Sequence, residues 1–215
     1  MTRRDRAHAE LLLQRFAAAS PGAPLIPTAE LRDRVQAGDR VVFVDVRAVE
    51  EQRVSMIPGA VTVKAFEADI LPGLQGEAAR VGTLVVPYCT CGYRSALYCR
   101  RLVESHGLGC VRNGEGVIMW TFEGGSLVRP SRARLEAAAD TAVADEEPTT
   151  KVHVYGKMWD CAADGFTTVY LPAWRGAVLY VVEACRKTTA KLGTACAGLC
   201  QTDRRRPRAA KSPRA

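Results

Sequence analysis

Apolar positions along the chain switch repeatedly between helical and strand spacing. From Asp5 to Ala19 they recur with a helical period, with Leu11, Leu12 and Phe16 on one face. Ser20-Pro21-Gly22-Ala23-Pro24 ends that helix. Thr28 is placed to cap a second helix, through Leu31 and Val35, which Gly38 stops. Val41-Val42-Phe43-Val44 is an unbroken apolar run, the pattern of a strand buried on both faces. Ala60-Val61-Thr62-Val63 follows the Pro58-Gly59 turn as a second strand, and Thr83-Leu84-Val85-Val86 is a third that runs into Cys89. Ser95 to His106 reads as a helix with Leu97, Leu102 and Val103 toward the core. Cys110-Val111-Arg112 is a last short strand, and Gly116 to Phe122 a brief helix. Strands alternating with helices pair in parallel through right-handed crossovers, so the expected class is α/β, an open parallel sheet flanked by helices. Ligands of such sheets sit beyond the carboxyl ends of the strands, where Cys89 falls. Pro87 removes a ladder donor near the end of its strand, which predicts a bulge there.

Beyond residue 130 the pattern loosens. Ser131 to Thr150 is Ala-rich and acidic and reads as a linker or a loosely attached helix. Lys151 to Tyr155 alternates like a strand, and Trp174 to Leu192 like an amphipathic helix with Val178, Val181, Val182 and Cys185 on one face. The expected organisation is an N-terminal helix (1–24), a core domain (25–130), a linker (131–150), an extension packing on the domain (151–200) and a basic disordered tail (201–215).

Composition narrows the class. Of 215 residues, 47% are hydrophobic and 25% charged, as in an ordinary soluble globular protein. No apolar run approaches the roughly 18–20 residues needed to cross a bilayer. The net charge of +7 is unevenly spread: Arg204, Arg205, Arg206, Arg208, Lys211 and Arg214, offset by Asp203, carry most of it. The tail is either a solvated aid to solubility or a contact for RNA, anionic lipid or an acidic partner. The eight cysteines come without a secretory signal pattern, because Gln14 and Arg15 follow Leu11-Leu12-Leu13 at once. A chain of this length needs no disulfide staples, so the thiols are expected to be reduced in the cytoplasm. Arg3, Arg4, Arg6 and Arg15 leave a plastid or mitochondrial leader as the alternative, against which Asp5 and Glu10 count.

Candidate chemistry concentrates in Tyr88-Cys89-Thr90-Cys91-Gly92-Tyr93-Arg94-Ser95, between a buried strand and a helix. Such a junction turns backbone N–H groups toward one point, and the helix start adds partial positive charge. A cysteine at the first position of that cradle is held as thiolate. Arg94 adds a permanent charge with a fork suited to an oxyanion, and Gly92 lets the backbone turn. Nucleophile, anion cradle and electrophilic support are the parts of covalent catalysis.

These residues resemble the active-site loop of rhodanese-like domains, Cys-x-x-Gly-x-Arg-Ser after a Val-rich strand. Three further segments agree in order: Val44-Asp45-Val46-Arg47, Ile57-Pro58-Gly59-Ala60-Val61, and Asn113-Gly114-Glu115-Gly116-Val117-Ile118-Met119-Trp120. The resemblance spans about residues 25–130. It implies that Cys89 takes sulfur as a persulfide from a small sulfur donor and passes it to a thiol acceptor, small or protein. It implies that the amides of Thr90, Cys91, Gly92, Tyr93 and Ser95 stabilise the anion, and that Arg94 closes the loop electrostatically. Asp45 and Arg47 would brace the domain or the site entrance; a structural ion pair serves as well. No metal or organic cofactor is signalled. Two positions depart from the family: Ser55-Met56 replaces Gly-His, and Glu115-Gly116 stands at the closing Gly pair. Four residues lie between Cys89 and Arg94, as in sulfurtransferases, whereas the related cell-cycle phosphatases have five. A non-catalytic binding or redox-sensing module is the other reading of the same fold.

Cys91 either resolves the persulfide, forms a disulfide with a substrate, or fills the loop. Cys196 and Cys200 have loose metal-like spacing without a second pair of ligands. Cys99 and Cys110 read as core residues, and Trp159 and Trp174 as core or interface aromatics. His153 lies in a segment, Val152 to Trp159, similar to one that follows the rhodanese domain in some algal and plant-type members, and is expected to pack against the domain.

Overall fold

The computed structural model describes residues 3–18, 22–75, 82–136, 146–154 and 159–170. Three parallel strands form its centre, β2 (Arg40–Asp45) between β3 (Val61–Thr62) and β4 (Thr83–Tyr88). β1 (Leu25–Ile26) pairs in parallel with β5 (Asn113–Gly114), and a single parallel bridge from Val85 to Val111 ties that pair to β4. The apolar runs of β2 and β4 alternate between two cores. Phe43, Val86 and Tyr88 face one with Ile26, Leu31 and Trp120. Val44 and Val85 face the other with Phe66, Cys99 and Leu102. Both faces are thus covered, as continuous apolar strands require.

The flanking helices are α1 (Arg3–Ala18), α2 (Thr28–Gln36), the short α3 (Val49–Gln52) and α4 (Val63–Ala65), α5 (Tyr93–His106), α6 (Val117–Phe122) and α7 (Arg132–Glu136). A π turn and 3-10 turns continue α4 to Gln75. None among the described residues is long and apolar enough to cross a membrane. In α1 the buried positions are Ala9 and Leu12, whereas Leu11 is 63% exposed. In α5, Val103 also turns outward, whereas Leu102 is fully buried.

Several local expectations need correction. Pro87 causes no bulge: β4 stays in register with β2 through Tyr88. Val85 directs its N–H to Cys110 and its carbonyl to Arg112, so Pro87, two residues on, faces that same side, where the bridge to Val111 has ended. The missing donor therefore breaks no bond to β2. Thr28 is the first residue of α2 and not its cap; the Glu115 carboxylate accepts its backbone N–H at 2.7 Å and does the capping from across the fold. The last strand forms at Asn113–Gly114, with Val111 making only a bridge.

Part of the presumed linker is built in. β7 (Glu146–Thr149) pairs antiparallel with β6 (Leu127–Pro130). Buried Arg134 of α7 reaches the Ala60 carbonyl and lies 3.7 Å from Glu146. β8 (Lys151–His153) and β9 (Thr167–Val169) pair in parallel, and Val152 belongs to the first core. A third apolar cluster joins Ala9 and Leu12 of α1, Ile118, Met119 and Phe122 of α6, and Val154 and Cys161. The amphipathic pattern at 174–192, Cys185, Cys196, Cys200 and the basic tail lie outside the described residues.

Candidate active site

Cys89 follows the last residue of β4 and is 1% exposed. The chain then bends through Thr90 and Cys91 to Gly92, whose φ of 84° opens α5 at Tyr93. A side chain at Gly92 would be strained in that left-handed conformation. The Asn113 side-chain amide donates to the Gly92 carbonyl at 3.0 Å. From the other side α6 takes up the loop's carbonyls: Val117 N–H donates to Cys89 O at 2.8 Å and Ile118 N–H to Thr90 O at 3.3 Å. Gly116 makes this approach possible. A Cβ there would lie 2.6 Å from the Thr90 carbonyl oxygen and 2.7 Å from the Cys91 nitrogen, against backbone that cannot move aside. The neighbouring position, Glu115 where the family has glycine, is free to hold Thr28.

α6 thus holds the loop from its carbonyl side. The Ser95 hydroxyl donates to the Cys89 sulfur at 3.6 Å. Burial pushes the Cys89 thiol up; the Cys91 hydrogen bond, the Arg94 charge and the Ser95 bonds oppose it and leave Cys89 well below the ordinary thiol range. Cys91 is held well above that range, chiefly because it donates to Cys89 and then because it is buried. Cys99, buried on α5, is also raised, by desolvation first and by the Cys89 charge second.

Arg94 does not present its fork to an incoming oxyanion, as its sequence position suggests. Nη1 and Nη2 donate to the two carboxylate oxygens of Glu51 at 2.7 and 2.9 Å, and Nη2 also reaches Thr90 Oγ1 at 3.3 Å. Glu51 has no exposed side-chain area. Its carboxylate also accepts from the Ala48 backbone at 3.0 Å and lies 3.4 Å from His153 Nδ1. Desolvation raises its pKa, but the bonds from Arg94 and His153 and the charges of Arg94 and Arg47 hold it well below the usual carboxylate range. Arg94 thus lends the loop its charge and a fixed position rather than a free bidentate grip.

Asp45 and Arg47 form a separate, wholly buried pair at 2.6 Å. Tyr88 Oη donates to Asp45 at 2.7 Å and accepts from Ile57 N–H at 3.1 Å; Arg47 donates to the Ser55 carbonyl at 2.6 Å. Gln52 Nε2 donates to the carbonyls of both Asp45 and Arg47. Residues that stand far apart in the sequence motifs are therefore stitched together under the loop, but neither Asp45 nor Arg47 bonds to Cys89.

Sequence reasoning missed Glu51 and His153. Glu51 sits in an acidic four-residue segment that reads like surface, and His153 in the extension, 1% exposed. A hint was available in the loop arginine, Arg94, which has no acidic residue among its near neighbours in sequence.

Residues 27–120 match the family described as Rhodanese-like domain. No curated protein matches the chain. Among solved structures, a thiosulfate sulfurtransferase from Pseudomonas aeruginosa is similar at 26% identity and a TM-score of 0.42 over 57% of this chain and 22% of that one. The human single-domain sulfurtransferase is similar at 29% identity and a TM-score of 0.33, over 44% of this chain and 91% of its own. A Rhodopseudomonas palustris protein of unknown function, named a possible tyrosine phosphatase, is similar at 25% identity and a TM-score of 0.37, over 58% and 94%.

Proposed function

Because residues 27–120 are a rhodanese-like domain, we propose that the protein is a sulfurtransferase that carries sulfane sulfur on Cys89. The observation that carries this reading is the setting of Cys89: a buried sulfur that accepts from the Ser95 hydroxyl beside the Arg94 charge and is held well below the ordinary thiol range. A thiolate attacks the outer sulfur of a donor such as thiosulfate; the donor's S–S bond breaks, sulfite leaves and Cys89 becomes a persulfide anion. The loop amides and Arg94 then bear the same single negative charge before and after the step, so the site needs little reorganisation. An acceptor thiol removes the outer sulfur and restores the thiolate.

The short loop supports sulfur over phosphate, since four residues between Cys89 and Arg94 make a cradle smaller than the related phosphatases have. The commitment of Arg94 to Glu51 supports a further expectation about the donor. With its one loop arginine engaged, the site should handle the dianion thiosulfate slowly and a less charged persulfide or polysulfide donor better.

Intact mass spectrometry after brief exposure to thiosulfate and, separately, to inorganic polysulfide tests the reading, with Cys89→Ser as control. The expected result is a reductant-reversible gain of about 32 Da, the mass of one sulfur on a thiolate, absent from the variant. No gain with either donor while Cys89 remains alkylatable would move the assignment to a binding or redox-sensing module.

A further inference from the structure

Thr90 follows the nucleophile directly, and its place in the loop motif asks only for its backbone amide. In the fold the residue is 1% exposed and its side chain turns inward. The hydroxyl lies between the two members of the ion pair beside the loop. Arg94 Nη2 donates to Thr90 Oγ1 at 3.3 Å, and Thr90 Oγ1 donates to Glu51 Oε1 at 3.4 Å. The backbone of the same residue is held from another element. Its carbonyl accepts from Ile118 N–H at 3.3 Å, next to the Cys89 carbonyl, which accepts from Val117 N–H at 2.8 Å. Thr90 thus joins α6 by its main chain and the Glu51–Arg94 pair by its side chain.

We propose that Thr90 is a positioning residue, whose hydroxyl ties the Glu51–Arg94 pair to the backbone that carries Cys89. Its effect on rate rests on the sulfurtransferase reading above; its effect on the thiol does not. The ion pair alone does not set the distance from guanidinium to sulfur. Glu51 comes from α3, and Arg94 reaches it from the first turn of α5 on a long side chain with several rotatable bonds. Thr90 is β-branched and stiff at its first torsion, so its hydroxyl is a short, rigid reference point one residue from the nucleophile. A hydroxyl accepts and donates at once, and both capacities are used here. Serine retains them, whereas valine keeps the shape and loses both. Without the bridge, Arg94 answers to Glu51 alone. Its charge is among the influences that hold the Cys89 thiol low, so a displaced guanidinium registers at that sulfur. Both bonds are long, and the expected effect is correspondingly modest.

Full-length wild type, Thr90→Val and Thr90→Ser are compared by two measurements. One is the pH midpoint of iodoacetamide alkylation at Cys89, localised by peptide fragmentation. The other is the rate of persulfide formation with inorganic polysulfide over a range of donor concentrations. Thr90→Val is expected to raise the midpoint and to slow the reaction about three- to tenfold, in the rate at saturating donor rather than in the concentration for half-saturation. Thr90→Ser is expected to keep the wild-type midpoint and to stay within about twofold of its rate. An unmoved midpoint in Thr90→Val would overturn the proposal, whatever its rate. So would Thr90→Ser as impaired as Thr90→Val, since that assigns the role to the methyl group. Should Thr90→Val not fold, Thr90→Ala, which also lacks the hydroxyl, carries the same expectation. If wild type gains no sulfur, the sulfurtransferase reading fails, and the alkylation midpoints alone still decide the role of Thr90.

Discussion

Asp45–Arg47 and Glu51–Arg94 are both acid–arginine pairs, yet they sit differently in the molecule. The first closes over two residues, has no exposed side-chain area on either partner, and is surrounded by Tyr88, Gln52 and the Ser55 carbonyl. The second joins residues 43 apart in sequence, buries its acid completely and leaves Arg94 20% exposed beside the reactive loop. A pair made locally and sealed holds β2 to the strand that carries Cys89. A pair made across the fold, with one partner reaching solvent, sets the electrostatics of the site. Burial and hydrogen-bond saturation separate the two roles where residue type does not.

Arg47→Met breaks the sealed pair and is the largest effect expected on stability. It leaves Asp45 charged with no counterion, at a cost of about 3–5 kcal/mol. Urea denaturation followed by tryptophan fluorescence measures it. Removing both charges with Asp45→Leu and Arg47→Met together is expected to recover most of the loss, since replacing a buried pair by apolar groups is often neutral. A loss below about 1 kcal/mol for the single variant would contradict the structural role assigned to the pair.

Arg94→Ala moves the effect from stability to chemistry. Persulfide formation is expected to slow about 10²–10³-fold, the usual cost of removing one preorganised group from an anion cradle. The pH midpoint for alkylation of Cys89, low in wild type, is expected to climb toward the ordinary thiol value of about 8.5. Its stability loss should be smaller than that of Arg47→Met, because Glu51 keeps the Ala48 amide and His153 and water can enter at the exposed arginine. A larger loss than Arg47→Met would reverse the comparison.

Glu51→Gln tests the acid of the same pair through pH. The folded pKa of Glu51 is depressed, so its charge contributes stability above the unfolded carboxylate pKa of about 4.3 and loses that contribution as pH falls toward the folded value. Wild type should therefore exceed Glu51→Gln by about 1–3 kcal/mol at pH 7, and the gap should narrow steadily below about pH 4.5. Thermal melts across that range measure it; a gap that widens on acidification would contradict the sign.

What the sequence revealed of this arrangement follows the range of the interactions. The alternating cores of β2 and β4, the strand–loop–helix junction at Cys89 and the turn at Gly92 are local, and period and residue type suffice to read them. Gly116 was legible as a motif glycine, but its reason, the 2.6 Å approach to Thr90, belongs to the fold. Leu11 and Val103 look like core residues on a helical wheel and turn outward because their neighbours face the sheet. Glu50 and Glu51 are indistinguishable in sequence; only the arrival of Arg94 from beyond β4 makes one of them a buried carboxylate. The capping of Thr28 by Glu115 is of the same kind, as a side chain 87 residues away does the work the local sequence seemed to offer. Non-local polar partners are the part that period and propensity do not encode.

The smallest effect expected sharpens the comparison furthest from the loop. His153 lies on β8, beyond residues 27–120 that match the domain family, yet its Nδ1 stands 3.4 Å from Glu51 Oε1. We predict that it is a positioning residue, steadying Glu51 and through it Arg94. His153→Gln is expected to weaken that hold by about 0.5–1 kcal/mol, a roughly two- to fivefold slowing of persulfide formation. A purely structural role would give a similar slowing through partial unfolding, so rate alone does not decide. The pH midpoint of Cys89 alkylation does, because it should rise in the folded variant if Arg94 has loosened. The decisive measurement is the double variant with Arg94→Ala. If His153 acts through Arg94, its substitution adds nothing further to the Cys89 midpoint once Arg94 is gone. Additive shifts would mean that His153 reaches the thiolate by another path, and the chain from extension to acid to arginine would not stand.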